Sequence, residues 1–143
     1  MKNKLFLLLV FIVFPSLTLA DHHGLSLEAR QERTIMTVTS IEVGDELTIL
    51  NAEGTMGEYG KVYASYKLSY DSSRNGGTYT AEGRGFIDTN TMASGTAMGI
   101  WRREGSKVYM EELVNINDGT QNLGRIVFDA LENTMIMDVY IIH

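Results

Sequence analysis

Residues 59–86 read YGKVYASYKLSYDSSRNGGTYTAEGRGF, a pattern typical of two β-strands joined by a turn. From Tyr59 to Tyr70, apolar or aromatic side chains alternate with mostly polar ones, which indicates a strand with one buried face. The face expected to be buried carries Val62, Ala64, Tyr66, Leu68 and Tyr70. The segment Asp71–Gly77 follows and contains Asn75-Gly76, the strongest short signal for a hairpin turn. Together these features predict an antiparallel hairpin.

The same pattern recurs along most of the chain. Eight segments alternate in this way, and they are Thr34–Thr39, Glu46–Leu50, Tyr59–Tyr70, Thr78–Asp88, Met92–Arg103, Lys107–Ile116, Leu123–Leu131 and Met135–Ile142. The breaks between them are short and rich in turn formers, and no helical period intervenes. Closing such a meander removes its exposed edges. We therefore predict an all-β domain over residues 34–143, an antiparallel up-and-down barrel of about eight strands.

The N-terminus has the order of a signal peptide. Lys2 and Lys4 precede the apolar run Leu5–Phe14, and small residues at Thr18 and Ala20 mark a cleavage site. The run is half the roughly 20 residues that a membrane-spanning helix needs. We expect a signal peptide over residues 1–20, a polar arm or short helix over residues 21–33, and export to the periplasm or the medium.

The charge of the chain excludes one class of partner. The formal net charge is −6, and loss of the two signal lysines would make it −8. An acidic surface repels phosphate backbones and anionic lipids, so we expect neither nucleic-acid binding nor membrane insertion after cleavage. The chain has no cysteine, so its core and sheet must hold it together without disulfides.

Two neighbouring segments carry small residues on one face. These residues are Ala81, Gly83 and Gly85 in one segment, and Ala93, Gly95, Ala97 and Gly99 in the next. Repeated glycine on a strand face marks tight coiling or close packing. The favoured interpretation is that they make room for large side chains opposite, and the alternative is a ligand groove.

The pattern Gly54–Gly60 (GTMGEYG), then a long strand, then Gly83-x-Gly85-Phe86 and Ser94-Gly95, resembles the allene oxide cyclase and dirigent barrels. The resemblance covers most of residues 34–142 and rests on glycines and turns. It implies an eight-stranded antiparallel barrel with an apolar cavity, commonly trimeric, and hence a homo-oligomer. No functional residue of the cyclases maps onto this chain, and likeness of fold does not transfer function.

The residue types in the predicted barrel limit the catalytic chemistry that it could perform. Histidine occurs only at His22, His23 and His143, so an interior Ser-His-Asp site or a zinc site of the His or Cys type is excluded. Any acid or base must then be a carboxylate, tyrosine, lysine or arginine. The catalytic candidates are Glu82, Glu112 and Tyr109, and the simpler interpretation is that the acids face solvent or pair across strands. The candidates for lining an apolar pocket are Tyr66, Tyr70, Tyr79, Trp101 and Tyr109, which could equally be ordinary core residues.

Cleavage after Ala20 would create a terminus that reads Asp21-His22-His23. A free amine, two amides and the His23 imidazole offer four nitrogens in a plane, a geometry that suits Cu(II) or Ni(II). We expect no other cofactor, and a plain solvated terminus is the alternative.

The leading hypothesis is an exported, non-catalytic barrel that binds a small apolar or aromatic molecule. The first alternative is a cofactor-independent cyclase or isomerase, in which a shaped pocket folds a reactive substrate. The second is a structural or self-associating envelope protein with an exposed apolar patch. A small outer-membrane barrel is a further alternative, although strands rich in Gly and Thr and uniformly short loops argue against it.

Overall fold

The computed structural model describes residues 27–142, and they form one closed barrel of eight antiparallel strands. Each strand pairs with the next in sequence, and β8 pairs with β1 to close the sheet. The strands are β1 (Thr34–Val43), β2 (Leu47–Thr55), β3 (Lys61–Ser69), β4 (Gly76–Phe86), β5 (Met92–Glu104), β6 (Lys107–Ile116), β7 (Gln121–Asp129) and β8 (Thr134–Ile141). A short 3-10 helix, Gly57–Tyr59, separates β2 from β3. The predicted all-β, eight-stranded antiparallel barrel is confirmed.

The signal peptide predicted over residues 1–20 and the terminus Asp21–His23 lie outside the described residues. None of residues 27–142 belongs to a helix with the length and hydropathy of a membrane span. The last part of the predicted arm runs beside the end of β8. There the Arg30 amide donates to the Val139 carbonyl over 2.9 Å, and the Ile141 amide donates to Glu28 over 2.9 Å. This pairing brings the Arg30 side chain to one rim of the barrel.

The turn between β3 and β4 differs from its prediction. The chain reverses at Asp71–Arg74, where the Asp71 carboxylate accepts hydrogen bonds from the Ser73 amide and hydroxyl at 2.9 and 2.6 Å. Arg74 takes the left-handed conformation, with φ of 57°. Gly76 already pairs with Arg102 across the sheet. The side chain of Asp71 therefore organises the turn, and Asn75-Gly76 belongs to its end and to the start of β4.

Large side chains fill one end of the barrel, which we call the closed end. It lies at the β3–β4, β5–β6 and β7–β8 turns, and its interior holds Leu68, Trp101, Val108, Phe128 and Met135, all buried. We call the opposite end, at the β4–β5 and β6–β7 turns, the open end. Its inner face carries Ala93, Gly95 and Ala97, which are only half-buried. Any interior site must therefore lie towards the open end.

Candidate functional site

A cavity of about 90 Å³ occupies the open end of the barrel. One wall is the small-residue face of β4 and β5, and larger apolar side chains such as Met36, Val62 and Met137 also line the cavity. The residues at its mouth are half-buried, so the cavity is continuous with solvent. Its walls are mostly apolar, which is typical of sites for small molecules.

The glycines of this wall serve two different purposes. A Cβ on Gly85 would lie 2.4 Å from the Tyr59 carbonyl oxygen, so this glycine allows close packing. A Cβ on Gly83 would meet nothing nearer than 3.7 Å. Gly83 therefore borders open space, and the wall both relieves packing and bounds the cavity.

Glu112 of β6 is the buried acid of this cavity. It shares the inner face of β6 with Val108, Met110 and Val114, it is 5 % exposed, and it lines the cavity. Its Oε2 accepts a hydrogen bond from the Tyr79 hydroxyl over 3.0 Å. Burial disfavours the charged carboxylate and raises the pKa of Glu112 to about 7, although the Tyr79 hydrogen bond opposes this shift. A carboxyl with such a pKa can give or take a proton near neutral pH.

Glycines on both neighbouring strands make space, one for this carboxyl and one for the Tyr79 ring. Glu112 pairs with Gly99 of β5 and with Gly124 of β7. An ideal Cβ on Gly124 would lie 2.9 Å from Glu112 Oε1, and one on Gly99 would lie 2.8 Å from Cε1 of Tyr79. The two glycines thus admit the Glu112 carboxyl and the Tyr79 ring that hydrogen-bonds to it.

Two tyrosines lie behind and beside the carboxyl. The rings of Tyr66 and Tyr79 have centroids 6.2 Å apart. Burial raises the pKa of both hydroxyls, and the negative charge of Glu112 raises each further. Both tyrosines therefore remain neutral through the range in which Glu112 titrates.

A second polar group lies at the rim of the cavity. Asn122, 1 % exposed, donates through Nδ2 to the Tyr59 hydroxyl over 3.2 Å and accepts a hydrogen bond from Arg30 Nε. Arg30 also pairs with Glu58 at 3.5 Å. These contacts attach residues 27–33 to the β2–β3 connection and to β7 beside the cavity mouth.

The candidate residues selected from the sequence lie in different parts of the barrel. Tyr66 and Glu112 line the cavity, and Tyr79 holds the carboxyl in place. Glu82 is exposed on the outer face of β4 and borders the cavity beside Ala81 and Gly83. Tyr109 lies on the outer face of β6, under the Arg102 guanidinium, whose carbon is 4.5 Å from the ring centroid. Of the three catalytic candidates, Glu112 is therefore the one that is buried beside the cavity.

Tyr70 and Trp101 lie at the closed end. Their rings meet edge to face, with centroids 5.7 Å apart, and Trp101 Nε1 donates to the Ser69 carbonyl over 2.9 Å. Neither residue lines the cavity. The structure therefore separates Tyr70, Trp101 and Tyr109 from the cavity that Tyr66 lines.

Sequence reasoning missed Tyr59 and Asn122. Tyr59 ends the 3-10 helix, where strand alternation does not apply. Asn122 has the same parity in β7 as the buried Ile126 and Phe128, so alternation could have identified it as an inward polar residue. Within residues 27–142, no three His, Asp or Glu side chains lie close enough together to hold a metal ion.

Gly124→Ala should destabilise the protein by about 1–3 kcal/mol, because the new methyl group overlaps the Glu112 side chain. Chemical unfolding measures the effect, and Gly83→Ala, whose methyl group meets nothing nearer than 3.7 Å, is the matched control. The loss of stability caused by Gly124→Ala should disappear when Glu112 is also replaced by alanine. An equal cost in both backgrounds would refute the proposed overlap.

Comparison with protein-family models, with curated proteins and with solved structures found no match. The fold and the site therefore define a class only: a closed, eight-stranded antiparallel barrel with an apolar cavity and a buried carboxyl. The resemblance to allene oxide cyclase and dirigent barrels stays a prediction.

Proposed function

We propose that this protein is a non-catalytic barrel that binds a small, mostly apolar molecule in the cavity at its open end. The observation that carries the proposal is the cavity itself. Protein interiors are close-packed, with few voids larger than a water molecule. Here Gly83, Ala93 and Ala97 leave about 90 Å³ beside a core that is otherwise filled. Small barrels with such space hold one small ligand.

The volume limits the size of the ligand. An engineered apolar cavity of about 150 Å³ in another protein holds one benzene molecule. A cavity of about 90 Å³ that opens to solvent suits a short chain or the inner part of a single ring. A longer ligand would extend through the mouth, past the half-buried Ala93 and Gly95.

The proposed place of action is outside the cytoplasm, on the basis of the signal peptide predicted over residues 1–20. The proposed kinship with dirigent barrels, which are secreted, agrees with this location. Self-association remains part of the same proposal through that kinship.

A substitution that fills the cavity tests the function. Ala97→Leu should abolish binding of toluene, measured by chemical-shift changes of the purified protein, because the new side chain takes the ligand's space. The control is Met98→Leu, one residue along the same strand on the outer face, which should leave binding unchanged. Native mass spectrometry of protein purified from its source should also reveal a retained small molecule. No toluene binding to the unaltered protein, or equal binding to both variants, would contradict the proposal.

A second candidate function is cofactor-independent proton-transfer catalysis, such as cyclisation or isomerisation. It is favoured by Glu112, because an acid with a pKa of about 7 beside an apolar cavity can exchange a proton with a bound molecule. The apolar walls would hold the substrate in a reactive shape. This function changes the bound molecule, so recovery of an isomer of the added compound would favour it over binding alone.

A further inference from the structure

Within residues 27–142, the Glu112 carboxyl has no cationic partner. Among residues 27–142 it is the one buried acid, and no lysine or arginine in that part of the chain is buried. Within the same residues, Tyr79 is its one hydrogen-bond donor, and it donates to Oε2. Oε1 packs against Gly124, where an added Cβ would lie 2.9 Å from it. No described protein group donates to Glu112 Oε1, and among residues 27–142 the fully buried side-chain atom without a partner is Gln31 Oε1, so Glu112 Oε1 is accessible rather than sealed in the core.

Such an arrangement lowers the stability of the folded protein. A charged carboxylate in a mostly buried position, with no cationic partner, costs several kcal/mol. An apolar residue in place of Glu112 would match Met110 and Val114 on the same face and would avoid the cost. A ligand that supplies the missing partner would offset the cost when it binds.

The electrostatics of the cavity favour a positive partner. The Tyr79 hydroxyl donates to the carboxyl, which stabilises its charged form. The rings of Tyr66 and Tyr79 lie beside it, and the faces of aromatic rings attract cations. The net charge of −6 also draws cations towards the protein. Glu82 and Arg84, which also border the cavity, are exposed and opposite in charge, so an anion would find no buried basic side chain among residues 27–142.

We propose that the cavity selects small organic cations, namely protonated amines with a compact apolar body. The ammonium group contacts Glu112 Oε1, and the apolar body lies against the small residues of β4 and β5. This proposal rests on the proposed function, because it names the chemical class of the ligand for the same cavity.

The test compares benzylamine with benzyl alcohol, which has nearly the same shape and no charge. Titration calorimetry of the purified protein at pH 8 and low salt should give an affinity for benzylamine at least about tenfold higher than for benzyl alcohol. Glu112→Gln keeps the shape and an acceptor for Tyr79, and it should remove that preference. Glu111→Gln makes the same change of net charge on the outer face, where Glu111 pairs with Arg125 at 3.5 Å, and it should retain the preference.

The pH dependence provides a second measurement on the unaltered protein. Affinity for benzylamine should rise about tenfold from pH 6 to pH 8 as Glu112 ionises, and affinity for benzyl alcohol should stay constant. The groups that face Glu112 are Tyr79 from β4, Tyr66 from β3, and Gly99 and Gly124 from the paired strands, none of which titrates in this range. The inner faces of β1, β2 and β8 carry no acid or base, and the two charged residues that border the cavity from β4, Glu82 and Arg84, have exposed side chains.

The outcomes separate the two proposals. Equal affinity for benzylamine and benzyl alcohol, with no effect of Glu112→Gln and no change with pH, would overturn cation selection and leave apolar binding standing. Failure of both compounds and of toluene to bind would overturn the proposed function as well. Trp101 fluorescence reports on the closed end, away from the substitution, so it verifies that each variant is folded.

Discussion

Trp101→Ala should lower the free energy of unfolding by about 3–5 kcal/mol, because it removes the largest side chain of the closed end. The indole is 6 % exposed, packs edge to face on Tyr70, and donates to the Ser69 carbonyl over 2.9 Å. Its loss leaves a void and an unpaired carbonyl group. Chemical unfolding followed by circular dichroism measures the change.

Ile100→Ala is the matched control for Trp101→Ala. Ile100 is the preceding residue on the outer face of β5 and is 60 % exposed, so its truncation should cost less than about 1 kcal/mol. In the unaltered protein, Trp101 should emit at short wavelength and resist quenching by acrylamide. Solvent-like emission, or equal costs for the two substitutions, would contradict the burial of Trp101.

Glu112→Gln should become more stable relative to the unaltered chain as the pH rises. The difference between their free energies of unfolding should shift in favour of the variant by on the order of 3 kcal/mol between pH 4 and pH values above 7. Burial raises the pKa of Glu112 from its ordinary 4.5 to about 7, so the folded protein holds a proton that the unfolded chain releases. The contribution of Glu112 is therefore fully present below pH 4.5, falls between pH 4.5 and 7, and stays low above pH 7. Glutamine carries no proton to lose.

Chemical unfolding at pH 4 and pH 8 measures this difference, and Glu111→Gln is the control that should follow the unaltered protein at both values. Other carboxylates act in the opposite direction. The Arg33 guanidinium lowers the pKa of Asp138, so its contribution is lost as the pH falls. Since Asp138 is present in every variant, comparison with Glu112→Gln isolates Glu112. An equal stability difference at both pH values would refute a raised pKa for Glu112.

The strand pattern was sufficient to predict the barrel. Side chains alternate with a period of two, and turn formers separate the segments, so each β-segment and its burial pattern are local properties of the sequence. In β6 the same alternation places Glu112 on the face of Val108 and Met110 and Tyr109 on the other face. Sequence reasoning selected both Glu112 and Tyr109 as candidates, although only one face of β6 can point into the barrel.

The site was predicted only in part, because strand parity says nothing about position along the barrel. Tyr66 and Trp101 both face inward, yet register places Tyr66 at the cavity and Trp101 in the closed end. Asn122 and Tyr59 meet across 63 residues of chain, at a contact that pairing around the closed sheet creates. Such contacts depend on how strands are staggered, which no single segment encodes.

The sequence alone thus specified an all-β barrel and a strand face that carries Glu112, because alternation and turn chemistry act between near neighbours. Only the tertiary structure distinguished Gly83, which borders open space, from Gly99, where an added Cβ would lie 2.0 Å from the Glu111 carbonyl oxygen. Both are glycines within strands and look alike in sequence. They differ in the neighbouring atom that an added Cβ would meet, and the closure of the sheet determines which atom that is.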